Sequence, residues 1–189
     1  SLNKAYRDRM FDSFSDFFME YVERLHSEEN RINELIKIVK DKNNKQPLIF
    51  YHNIVVKDII VEKLKEHGFD YQVIDGEHNF GELDHDNLSP VLIQYKSGSE
   101  GIELKNSNCT IYYQNQTSYD VLEQARGRNR RRGMKDDDGN AVTINQYYLI
   151  AEDNIDQELF NRVSNREEIS EGMLEDIVDI ATGAKKAKK

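Results

Sequence analysis

The sequence predicts an α/β domain: a parallel sheet flanked by helices, with a helical extension at its N-terminus. Two observations predict it. Short apolar runs recur through the middle of the chain at 48–51, 71–74, 91–94 and 110–113, and segments with helical spacing lie between them. Strands that alternate with helices imply right-handed crossovers and hence parallel pairing. In such a sheet, ligands bind beyond the C-terminal ends of the strands, so the residues just after each apolar run are the ones to inspect.

The elements follow in order. Residues 3–26 read as a helix because Phe11, Phe14, Phe18, Val22 and Leu25 recur at steps of three and four, with Phe17 and Tyr21 widening the stripe. A second helix, 28–42, is expected to bury Ile32, Leu35, Ile36 and Val39, and a polar connector, 41–45, follows it. Leu48–Tyr51 is a continuous apolar run, as expected of a strand buried on both faces. Val55 to His67 has helical spacing through Val56, Ile59, Ile60 and Leu64, and stops at Gly68, a C-cap signal. Strands are expected at 71–74 and 91–94, joined by an acidic loop, 77–89, with no room for a full crossover helix. A strand at 110–113, opened by Cys109, leads to a helix over 118–127; a longer strand at 142–150, a helix at 154–163 and a helical tail at 167–181 complete the chain. The boundaries expected are 1–45 for the extension, 46–165 for the sheet domain and 166–189 for a C-terminal helix and basic tail.

With 189 residues there is room for one well-packed domain and a small appendage. Nothing approaches the ~20 consecutive apolar residues that span a bilayer; the longest such stretch, Pro47 to Val56, is broken by His52 and Asn53. The lone Cys109 excludes an internal disulfide and a multi-cysteine metal site. With no secretory signal visible, a cytoplasmic or otherwise intracellular location is expected. A net charge of −9 argues against a protein that coats nucleic acid with its whole surface. Yet Arg126, Arg128, Arg130, Arg131, Arg132 and Lys135 crowd one stretch that has no acidic residue. Either they serve a local anionic ligand, or they form a solvated helix end whose dipole favours cations.

Three loops carry the candidate chemistry. Tyr51, His52 and Asn53 follow the first strand. After 91–94 come Tyr95, Lys96, Ser97, Gly98, Ser99, Glu100 and Gly101, then Ile102, Glu103 and Leu104. The two glycines let the backbone approach a ligand closely, while Lys96, Ser97 and Ser99 offer donors to phosphate oxygens. The third feature is the more specific: Gln124, Gly127, Arg128 and Arg131 spell Gln-x-x-Gly-Arg-x-x-Arg. On a helix Gln124, Arg128 and Arg131 share a face, and Gly127 removes bulk beside them, which suits a polyphosphate. Arginine keeps its charge and forks onto phosphate oxygens, as phosphoryl transfer demands.

Taken together these loops resemble superfamily 2 helicases, closest to the Swi/Snf-type DNA-dependent ATPases. The run 124–131 is similar to that family's sixth motif, 97–104 to its fifth, and Pro47 to Asn53 to its fourth, with Val73 to Gly76 as the strand and turn that follow. The resemblance covers 46–165. It implies a RecA-like fold of the P-loop NTPase type, acting as the second motor domain against a first RecA-like domain of the same polypeptide. It implies that Arg131 is an arginine finger and Arg128 its partner on the γ-phosphate of ATP. Gln124 would couple nucleotide to nucleic acid, with Gly101 and Gly127 beside it and Glu103 at the ribose or the interdomain seam. Tyr51, His52, Asn53, Lys96, Ser97, Gly98 and Ser99 would face the backbone of DNA, with RNA a possible substitute. Three departures stand out: Tyr95 and Lys96 replace the usual Thr or Ser, the link from Gly76 to Val91 is short, and Arg130 stands where many relatives have His.

No Gly-x-x-x-x-Gly-Lys-[Ser/Thr] loop and no Asp-Glu-x-[Asp/His] strand occurs, so ATP and Mg²⁺ are expected to be held mainly by the first motor domain. With Ser at position 1, the chain reads as a piece of a longer motor, and alone it should be inactive. Two other classes compete: a non-catalytic nucleic-acid-binding or scaffold module with a degenerate motor fold, and a domain that binds a small phosphorylated metabolite. His78 and His85, with Glu77, Asp84 and Asp86, have poor metal-ligand spacing and read as a solvated loop.

Overall fold

The computed structural model describes residues 4–5, 11, 13–97, 104–127, 139–152 and 154–183. Its centre is a five-stranded, all-parallel sheet: β1 (Leu48–Tyr51), β2 (Gln72–Ile74), β3 (Val91–Gln94), β4 (Cys109–Tyr112) and β5 (Asn145–Tyr148), in the order β2-β3-β1-β4-β5. Leu48 of the central strand sits beside Val91 on one side and Thr110 on the other. The run Leu48-Ile-Phe-Tyr51 is buried at all four positions because neighbours pair on both edges and helices cover the faces. By contrast β5, Asn145-Gln-Tyr-Tyr148, is half-buried throughout, as its place at the edge allows. It is shorter than the expected 142–150.

Six α-helices lie among the described residues. Helix α1 (Phe14–His26) starts where the Ser13 hydroxyl accepts from the Asp16 N–H at 3.1 Å. Its inner face is Phe17, Tyr21, Val22 and Leu25, while Phe14 and Phe18 stack at the margin, so the apolar stripe is centred one position away from the expected line. Helix α2 (Glu29–Lys40) buries Ile32, Leu35, Ile36 and Val39 as expected, and Arg31 besides. Both pack on α3 (Ile54–Glu66), and their apolar residues belong to the same core cluster as the strands. Helix α3 ends at His67, followed by Gly68 in the left-handed region at φ 75°.

The β2-to-β3 crossover contains only a short 3₁₀ turn, Phe80–Glu82, in line with the short link in the sequence. Helix α4 (Tyr119–Arg126) starts at Ser118, whose hydroxyl accepts from the Val121 N–H. Helix α5 (Ile155–Ser164) packs against α6 (Glu171–Thr182), which begins four residues later than expected because Ser170 caps it. No described helix is long and apolar enough to cross a membrane.

Connections that jump from β1 past β3 to β2, and then from β3 over β1 to β4, make β1 the point where the winding reverses direction. The crevice beyond the C-terminal ends of β3, β1 and β4 is the ligand-binding position of such sheets.

Candidate functional site

At that edge the three loops are tied together by one side chain. The Gln114 amide oxygen accepts from the main-chain N–H of His52 at 2.8 Å and of Asn53 at 3.0 Å. Its amide nitrogen donates to Asn53 Oδ1, and its carbonyl oxygen accepts from the Tyr95 hydroxyl at 3.0 Å. Gln94 adds a bond from its amide to the His52 carbonyl at 3.2 Å. Asn53 stands at the N-cap of α3, but its side chain is turned to Gln114 and does not cap the helix. The loops after β1, β3 and β4 are therefore held in one arrangement.

The candidate residues fall in different places on this edge. Tyr51 is fully buried, and its phenol is pushed up by burial and by the nearby carboxylates of Asp75 and Asp58, so it lies beneath the edge and not on it. His52 and Asn53 are half-buried, Lys96 is exposed and Ser97 is half-buried. His52 is pulled below the usual histidine range by burial first and by the charge of Lys96 second, which places imidazole and ammonium in electrostatic reach across the ends of β1 and β3. Leu104, buried, anchors the far end of the fifth-motif segment. Gly98, Ser99, Gly101 and Glu103 lie outside the described residues, as do Arg128 and Arg131.

At the end of α4, Gln124 is exposed and Gly127 closes the helix. Gly127 has ordinary right-handed backbone at φ −72°, and an added Cβ would meet the Gln124 carbonyl at 3.4 Å, so local geometry tolerates a side chain there. Arg126, also in the last turn of α4, is held by specific contacts. Its Nε donates to the Tyr148 hydroxyl at 2.6 Å, an Nη meets Glu123, and the guanidinium lies 5.3 Å from the Tyr148 ring centre. One member of the basic run is thus a brace between α4 and β5, not a free ligand for anions.

Beyond β2, Asp75 accepts from the N–H groups of Glu77 and His78, from His78 Nδ1 at 2.9 Å and from Lys57 Nζ at 3.1 Å. Against the opposing effect of burial, these bonds hold its carboxyl well below the usual range, and Asp75 in turn raises His78. His78 is thereby part of a loop-closing bond set, and His85 packs its ring on Phe80. Among the described residues no group of three His, Cys, Asp or Glu is placed to hold a metal ion.

Two residues that shape the site carried no signal in the sequence. Arg31 reaches from α2 to donate to the carbonyls of Tyr113 at 2.7 Å and Leu149 at 2.8 Å, at the ends of β4 and β5. Asp156, which pairs with it, looks in sequence like an acidic residue in the first turn of a helix, favourable there on dipole grounds alone. Gln114 was legible only as a residue of a loop after a strand.

The model of the helicase conserved C-terminal domain matches residues 30–133, more than half of the chain. Among solved structures, the crystal structure of the C-terminal part of the Fun30 ATPase domain is similar, with a TM-score of 0.64 and 21% identity over 80% of this chain and 52% of that one. The chain thus spans about half the length of that structure. No curated protein matches the sequence.

Proposed function

The chain belongs to the helicase conserved C-terminal domain family, and we propose that it acts as the second motor domain of a superfamily 2, nucleic-acid-dependent ATPase. In this reading ATP is gripped between a first RecA-like domain and this one. Arg131 reaches the γ-phosphate as the finger and Arg128 supports it, offsetting the charge that develops on the equatorial oxygens during transfer. Gln124, exposed at the last turn of α4, links the nucleotide to the strand. His52, Asn53 and Lys96 meet the sugar-phosphate backbone, where contacts act irrespective of base sequence. Magnesium would be held by the first domain.

The observation that carries the reading is the joining of the loops after β1, β3 and β4 by Gln114, which holds His52, Asn53 and Tyr95 together on one edge of a parallel sheet. A phosphorylated-metabolite site would need an anion cradle on the chain itself, and the N–H groups of His52 and Asn53, just ahead of α3, are already taken by Gln114. The test is ATP hydrolysis by the full parent polypeptide, with and without DNA or RNA. A strand-stimulated rate that falls about 10³-fold or more in Arg131→Ala, with ATP binding retained, is the expected result. A parent without ATPase activity, or one indifferent to Arg131→Ala, would leave a non-catalytic nucleic-acid-binding scaffold as the function.

A further inference from the structure

A cavity of about 270 Å³ opens between α1, the loop after β4, α5 and α6. It is smaller than the ~300–1,000 Å³ of pockets for drug-sized ligands, and so suits a single small ring system. On its helical side it is lined by Phe18, Tyr21, Leu159 and Leu174; on its loop side by Asn53 and Gln116. Among the described residues that line it there is no Lys or Arg, whereas Asp156 and Glu171 do line it. A phosphate group is therefore disfavoured inside.

Two histidines line the same cavity, and each has a ring nitrogen that is buried and without a partner: His26 Nε2 and His52 Nδ1. His26 is only 2% exposed. Its Nδ1 lies 2.7 Å from the Val22 carbonyl, a contact that requires the proton on Nδ1 and leaves a lone pair on Nε2. Burial first, and the charge of Arg31 second, push this imidazole down to about 4, so near neutral pH Nε2 is an acceptor awaiting a donor. The ligand that fits is flat, uncharged, apolar on its faces and equipped with N–H donors on its edge.

We propose that this cavity binds a nucleobase, which lies against the Phe18 and Tyr21 side and donates an N–H to His26 Nε2. Bases extruded from a strand are bound in this way, by aromatic or apolar faces and hydrogen bonds to their edges. His52 and Asn53 belong both to the cavity wall and to the edge proposed to meet the backbone, so a strand held there has a base within reach of the opening. The source of the base rests on that reading; the affinity for a base does not.

The test uses the 189-residue chain with ¹⁵N-labelled histidine, titrated with adenine and, separately, with ATP and with indole. In parallel, its affinity is measured for an oligoadenylate and for a strand of equal length without bases. Adenine is expected to shift the His26 Nε2 resonance, and loss of the bases to weaken strand binding roughly fivefold to a hundredfold. Leu174→Trp, which fills the cavity from α6, should abolish both effects, and His26→Phe, which removes the acceptor, should abolish the preference for the strand with bases; both should leave affinity for the baseless strand intact. If adenine moves neither histidine and the two strands bind alike, the base site is wrong and the backbone reading survives. If neither strand binds while adenine and ATP both shift His26, the site takes the base of a nucleotide and the strand reading fails instead. A shift by indole without one by adenine would assign the cavity to a protein side chain and overturn the proposal.

Discussion

Arg31 and Asp156, 125 positions apart in the chain, form an ion pair with both side chains about 95% removed from solvent. The pair has further partners on both sides: Arg31 serves the carbonyls of Tyr113 and Leu149, and Asp156 accepts from the Ala151 N–H at 2.9 Å and from Asn115. It fastens α2 and α5 to the ends of β4 and β5, beside the edge on which the candidate residues sit. These additional bonds help make such burial tolerable, since an ion stripped of water and left unpaired is costly.

Breaking the pair from one side should therefore be severe. Arg31→Ala or Asp156→Ala is expected to cost about 3–5 kcal/mol of stability in chemical denaturation, because each leaves a buried charge behind. Arg31→Met combined with Asp156→Leu should cost less than the two single changes added together, and a double-mutant cycle would measure the coupling. Additive losses would show that the two groups act separately.

Gln114→Ala should act locally. It orphans the N–H groups of His52 and Asn53 and the Asn53 Oδ1, for a cost of about 1–3 kcal/mol. Hydrogen exchange at the amides of residues 52 and 53 should accelerate more than at β1 itself. Unchanged exchange there would mean that the loop after β1 is held by other contacts.

Arg126 and Arg131 should separate cleanly. Arg126→Ala loses a guanidinium packed on Tyr148 and its bond to that hydroxyl, so stability should fall by about 1–2 kcal/mol while the parent's strand-stimulated ATPase persists. Arg131→Ala is expected to do the reverse. Thermal unfolding and turnover, measured on the same two variants, decide it; equal losses of turnover would place Arg126 in the site.

Acid should weaken the fold through His26. The unfolded residue takes up its proton near pH 6.5, whereas the folded one resists until about pH 4. The unfolded state thus binds more protons across that window, and stability rises with pH there. The contribution of His26 is complete above about pH 6.5 and is lost as pH falls towards 4, with a limiting slope of ~1.4 kcal/mol per pH unit. His26→Phe should flatten the stability profile between those values; an unchanged profile would show that His26 is not buried as described.

The sequence by itself determined the class of fold. Four-residue apolar runs such as Leu48-Ile-Phe-Tyr51 can be satisfied only when covered on both faces, and helical spacing between such runs leaves parallel crossovers as the solution. It also located the motif-bearing loops, because chemistry in such sheets collects after the strands. Helix starts were legible where a capping side chain marks them, as at Ser118. The limits of β5 were not, since an edge strand that is half-buried needs no unbroken apolar run.

Tertiary structure alone decided the partners. Burial turned Arg31 from one charge on an amphipathic helix into the bolt between α2 and α5, and Gln114 from a loop residue into the clip that holds His52 and Asn53. It also gave Arg126 its partners, Tyr148 and Glu123. The physical reason is the same in each case. Local spacing records which residues avoid water, but a hydrogen bond or an ion pair depends on which distant chain segment the fold brings within about 3 Å.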